Sequence, residues 1–137
     1  MGQHYSGWDQ EMTTQTTYKD AAVAFLQMTA AGQVEQAFER FAGPQFRHHN
    51  PHFPGDAESI KAGMLENAAR FPDMLFEVQR AIADGPLVAV HSRARMQPGA
   101  PDIAIAHILR FEGDRIAEMW DIGQAQTDPM LNELGMF

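Results

Sequence analysis

His107–Asp121, HILRFEGDRIAEMWD, is the stretch on which the fold turns. Two runs with the two-residue period of β-strands flank Gly113-Asp114, a pair suited to a tight hairpin turn. Ile103, Ile105, His107, Leu109 and Phe111 share one face of the first run if it is regular. A His in such a row must find a partner, because an unsatisfied buried polar group costs on the order of 1–3 kcal/mol. It is either a core His bonded to one neighbour or a residue of a pocket. Asp121 is either a solvent-facing carboxylate at a strand end or a general acid or base in an apolar pocket.

The hairpin register decides whether the two meet. With a two-residue turn and a regular ladder, Glu112 faces Arg115 and His107 faces Trp120, while Asp121 points away. That register collects Ile105, His107, Leu109, Phe111, Ile116, Trp120 and Ile122 on one face, with Glu118 as the exception. A three-residue turn or a bulge would instead set His107 opposite Asp121, since a one-residue slip reverses every facing.

Outward from the hairpin, the period is also two over Phe76–Ile82, Leu87–Met96 and Ile103–Phe111. Turn residues Asp84-Gly85-Pro86 and the loop QPGAPD at 97–102 separate these runs. Earlier in the chain the period is helical. Tyr18, Ala21, Ala22, Phe25 and Met28 form one face of a helix expected over Thr17–Ala31, stopped by Gly32. A short helix is expected over Val34–Ala42, on a stripe of Ala37, Phe38 and Phe41. Asp56 is placed to cap a third helix running to Arg70. Residues 1–16 have no apolar period and read as a flexible N-terminal arm, with Trp8 as an anchor to the body. Residues 17–137 then form one α+β domain. A curved antiparallel or mixed sheet wraps on three N-terminal helices to make a cone with an internal pocket.

Composition narrows the function classes. A chain of 137 residues, 45% hydrophobic, can bury a core without staples. It has no cysteine, so disulfides and a thiol nucleophile are excluded. The net charge of −8 argues against nucleic acid. No apolar run reaches the ~20 residues that cross a bilayer, and no secretory segment is visible, so a cytoplasmic protein is expected. Phosphate-loop and serine-hydrolase motifs are missing. His48, His49 and His52 invite a metal reading. If Phe46–Asn50 is extended, however, His48 and His49 point to opposite faces, so no metal site is expected and one His of the pair enters the pocket. His91 shares a strand face with Arg93 and Arg95, which is either an exposed face or the polar end of the pocket.

Two segments carry a family resemblance. FRHHNPHFPGDAESIKAGM, residues 46–64, resembles the Y-x-Q-H-N-P segment of SnoaL-like proteins. The hairpin HILRFEGDRIAEMWD resembles their D-x-F-R-x-E-D-G-K-I-x-E-H-W-D element. These proteins belong to the nuclear-transport-factor-2-like superfamily, with polyketide cyclases and ketosteroid isomerases. The resemblance implies a cone of sheet and helices, paired into homodimers through the sheet. It also implies acid–base chemistry on a carbonyl compound, such as aldol-type cyclisation or isomerisation, without a cofactor. Asp121 and His107 are then the catalytic candidates, and His49, Asn50, His91 and Trp120 the substrate-binding ones. The sequence departs from the family at His48, His107 and Met119, where relatives often carry Gln, Asp and His. The competing expectation is a non-catalytic binder of a small apolar ligand in the same pocket.

Overall fold

The computed structural model describes the backbone of residues 7–137 and the side chains from Thr17 onward. The part of the expected arm at 1–6, and the expected anchor at Trp8, lie outside the described residues. From Gly7 the backbone is already helical: α1 spans Gly7–Ala30, starting ten residues before the apolar period would place it. The amphipathic part behaves as its pattern demands. Ala22, Phe25 and Leu26 are buried, and Tyr18 stacks on Phe111 with ring centroids 4.4 Å apart. Gly32, at φ 87°, takes the left-handed turn that ends the helix. Its N–H donates to Thr29 O and that of Gln33 to Met28 O, which satisfies two last-turn carbonyls.

Helix α2 (Val34–Phe41) buries Val34, Ala37 and Phe38. Strand β1 (Ala42–His48) follows it directly. Helix α3 (Ala57–Arg70) is capped by Asp56, whose carboxylate accepts from Ser59 N at 2.9 Å. Four longer strands complete the chain: β2 (Leu75–Asp84), β3 (Leu87–Arg95), β4 (Asp102–Glu112) and β5 (Arg115–Ala125). The sheet order is β1-β5-β4-β3-β2. Only β1 runs parallel to its neighbour, so the sheet is mixed.

Phe25, Phe38 and Phe46 pack edge to face or tilted between helices and sheet. Val88, Val90, Leu109, Ile116 and Met119 meet them from the strands. One sheet face is therefore covered by helices; the other carries exposed Ile82, Leu87 and Ile122.

The hairpin departs from strict alternation at one residue. Gly113-Asp114 is a two-residue turn, and Phe111 pairs with Ile116 as expected. Arg110 then pairs with Glu118, leaving Ala117 as an extra residue, a β-bulge. Beyond it Leu109 faces Met119, Ile108 faces Trp120, and His107 faces Asp121. The physical reason is charge. A regular ladder would drive Glu118 into the core, where an unpaired carboxylate is very costly. The bulge turns Glu118 outward onto Arg110 at 3.1 Å and brings Met119 inward, where it is 1% exposed.

Candidate functional site

Asp121 owes its place to the bulge, and Asn50 holds it there. Asn50 Nδ2 donates to Asp121 Oδ2 at 3.0 Å. Asn50 sits in the loop between β1 and α3, and that loop is closed by His48. His48 is 4% exposed. Its Nε2 donates to Pro54 O at 2.7 Å, and its Nδ1 accepts from Asn50 N at 3.0 Å. One imidazole thus ties both ends of the loop and fixes its own tautomer, since a carbonyl only accepts and a backbone N–H only donates. Asn50 Oδ1 accepts from His52 N at 2.9 Å, leaving the amide nitrogen for Asp121.

Asp121 and His107 lie on the helix-facing side of the sheet and line a cavity of about 840 Å³, a volume in the range of small-molecule sites. Ile103, Ile105 and Gly123 continue the sheet wall. Ile60, Met64 and Met96 add apolar surface, and Glu66, Asn67 and Arg70 of α3 supply polar groups. Phe53 reaches over from the loop and seats its ring in the notch left by Gly63. A Cβ at Gly63 would come within 2.4 Å of that ring.

His107 carries the clearest electrostatic signature. Burial pushes its pKa down to about 4, against a weaker upward pull from Asp121. The imidazole is therefore neutral near pH 7, because desolvation penalises the charged form. Its Nδ1 is enclosed and has no hydrogen-bond partner among the described residues. Phe76 meets the ring edge to face at 6.4 Å.

Three residues expected in the pocket are elsewhere. Trp120, next to Asp121, points to the opposite sheet face, where its ring stacks on His49 with centroids 4.9 Å apart. His49 is on that face too and bonds Glu118 at 2.6 Å. The His49 hydrogen bond and the Arg110 pair hold the Glu118 carboxyl below its usual range. His91 contacts Arg80 and stacks on Phe137 on the same outer face. All three corrections follow from strand parity: His91 pairs with Ala106, whose neighbour His107 points inward. His48 and His49 point to opposite faces as expected, but neither enters the pocket: the buried His48 ring serves the loop and not the cavity wall. Phe53, Gly63, Met64, Met96 and Arg70 were not legible as cavity residues; the sole hint was a glycine inside an otherwise regular helix. Among the described residues, no group of three or more His, Asp or Glu side chains could hold a metal ion. No helix among them is long and apolar enough to cross a membrane.

Comparison with known proteins agrees with this fold. The family model for the SnoaL-like domain matches residues 6–119, a span that includes Asn50 and His107 and stops two residues short of Asp121. Among solved structures, wild-type IdmH from Streptomyces antibioticus, proposed to be a polyketide cyclase, is 23% identical. It aligns over 87% of this chain and 99% of its own, with a TM-score of 0.65. An IdmH variant truncated in its 96–104 loop is 25% identical over 86% of this chain and 99% of its own, with a TM-score of 0.67. A proposed ketosteroid isomerase from Kribbella flavida is 15% identical over 80% of this chain and 79% of its own, with a TM-score of 0.65. No curated protein matches the chain.

Proposed function

The chain belongs to the SnoaL-like family, and from that premise we propose that its cavity performs general acid–base chemistry on a small carbonyl compound, as an aldol-type cyclisation or an isomerisation. The observation that carries this reading is Asp121, held by Asn50 at 3.0 Å and paired across the hairpin with His107 in a largely apolar cavity. Asp121 takes a proton from the carbon next to a carbonyl, and the C–H electrons move into the enolate. A neutral His107 donates a hydrogen bond to the enolate oxygen. In a cyclisation the enolate carbon attacks a second carbonyl of the same molecule, and the new alkoxide recovers the proton from Asp121. In an isomerisation the proton returns to a different carbon. The chain's own residues move every proton in this scheme.

The non-catalytic reading has one observation in its favour: Asn50 already occupies one oxygen of Asp121, as in a carboxylate kept for structure. The Asp121→Asn variant separates the two, assayed on a panel of apolar 1,3-dicarbonyl compounds. Positioned acid–base groups contribute typically 10²–10⁴-fold, so turnover should fall by about that factor while ligand binding persists. Wild-type protein that binds such compounds without turning any over would favour the binder. Turnover undiminished in Asp121→Asn would remove Asp121 from the chemistry. Pairing of two copies through the outer sheet face is part of the same proposal, supported by exposed Ile82, Leu87 and Ile122 there.

A further inference from the structure

Two enclosed side-chain polar atoms lack a hydrogen-bond partner among the described residues: Ser92 Oγ and His107 Nδ1. They are not independent. Val90 pairs with His107 and Ser92 pairs with Ile105, so Ser92 and His107 are diagonal neighbours on the inner face of adjacent strands. Diagonal pairs on one face are within reach of longer side chains. Ser92 is 0% exposed and flanked on its face by Val90 and Ala94, both buried. A hydroxyl in such a row is a poor choice for packing alone.

We propose that Ser92 is a positioning residue for His107: turned about its Cα–Cβ bond from the rotamer in which both atoms stand unpartnered, its hydroxyl donates directly to Nδ1 and so fixes the imidazole proton on Nε2. This deepens the acid–base reading above and rests on it for its consequence in catalysis. The direction of the bond follows from counting donors. Ser92 Oγ–H has no other acceptor, so a bond donated by His107 would leave the hydroxyl proton stranded. Which ring nitrogen carries the proton is set by the bond the other one makes. With Nδ1 engaged in the wall, the Nε2–H edge is the one presented to the cavity, on the side shared with Asp121. His107 is then a hydrogen-bond donor to a substrate oxygen, and the proton-removing role is left to Asp121.

The test is the His107 tautomer, read by long-range 1H–15N NMR of the ring at neutral pH in folded protein. Asp121 would itself favour a proton on Nε2, so the comparison is made in the Asp121→Asn background. There, Ser92 intact should give a single tautomer with Nε2 protonated. Adding Ser92→Ala should give a mixture of both tautomers. In the same background Ser92→Thr should keep the single tautomer and Ser92→Val should lose it, two side chains alike in shape that differ by the hydroxyl. A proton on Nδ1 with Ser92 intact overturns the proposal, and that measurement needs no Ser92 variant to fold. Tautomer populations unmoved by Ser92→Ala also overturn it. A Ser92-dependent tautomer together with full turnover in Asp121→Asn would refute the acid–base role of Asp121 and leave the Ser92–His107 contact standing.

Discussion

Replacing His107 by Phe should remove a defined share of the protein's acid sensitivity. In the folded chain burial holds His107 near pKa 4, against an ordinary value of 6.5. As pH falls below 6.5 the unfolded chain takes up a proton at this residue and the folded chain does not. Stability from this group is therefore fully present above pH 6.5 and is lost as pH falls toward 4. The full difference corresponds to about 3 kcal/mol, of which about 2 kcal/mol is already lost at pH 5. With a urea dependence of ~2 kcal/mol per molar, that loss moves the unfolding midpoint by roughly 1 M. Phe suits the site: it is β-prone, and it faces Phe76 and the apolar row of Ile105 and Leu109. Urea unfolding of wild type and His107→Phe at pH 8 and pH 5 isolates the effect, because the two proteins differ only at residue 107. The variant should lose about 2 kcal/mol less than wild type between the two pH values. Parallel losses would show that His107 titrates normally in the fold and would remove the basis for treating it as a neutral donor.

Two further outcomes follow from the loop that carries Asn50. Gly63→Ala should leave the protein folded, with roughly 1 kcal/mol of added helix stability set against lost Phe53 contacts. The new methyl should expel the partly exposed Phe53 ring and open the cavity, seen as increased binding of an apolar fluorescent dye; unchanged dye binding would mean that Phe53 does not cover the site. His48→Ala removes two hydrogen bonds from a buried position, so unfolding should become easier by about 2 kcal/mol. His48→Gln offers one donor and one acceptor and should recover part of that; equal losses in both variants would mean the ring acts through packing and not through the loop ends.

The order of three helices and the four long strands was legible in the sequence because apolar period is a local property. Asp56 as a cap and Gly32 as a stop were visible for the same reason, each serving N–H or C=O groups a few residues away. The start of α1 was not, since residues 7–16 carry no apolar stripe to mark a helix. Strand parity alone separates His48 from His49. It could not say which would be inside, because that depends on how β1 lies beside β5, through the pairing of His48 with Met119.

His107–Asp121 shows the division most sharply. By itself the sequence determined a hairpin with a two-residue turn at Gly113-Asp114, one face of it apolar. It also left a conflict on that face, with Glu118 among the core positions. Only tertiary structure resolved the conflict, because the cost of burying Glu118 depends on what lies on each side of the sheet. Helices cover one face; Arg110 and His49 wait on the other. The bulge at Ala117 follows, and with it Trp120 leaves the pocket and Asp121 enters it beside His107.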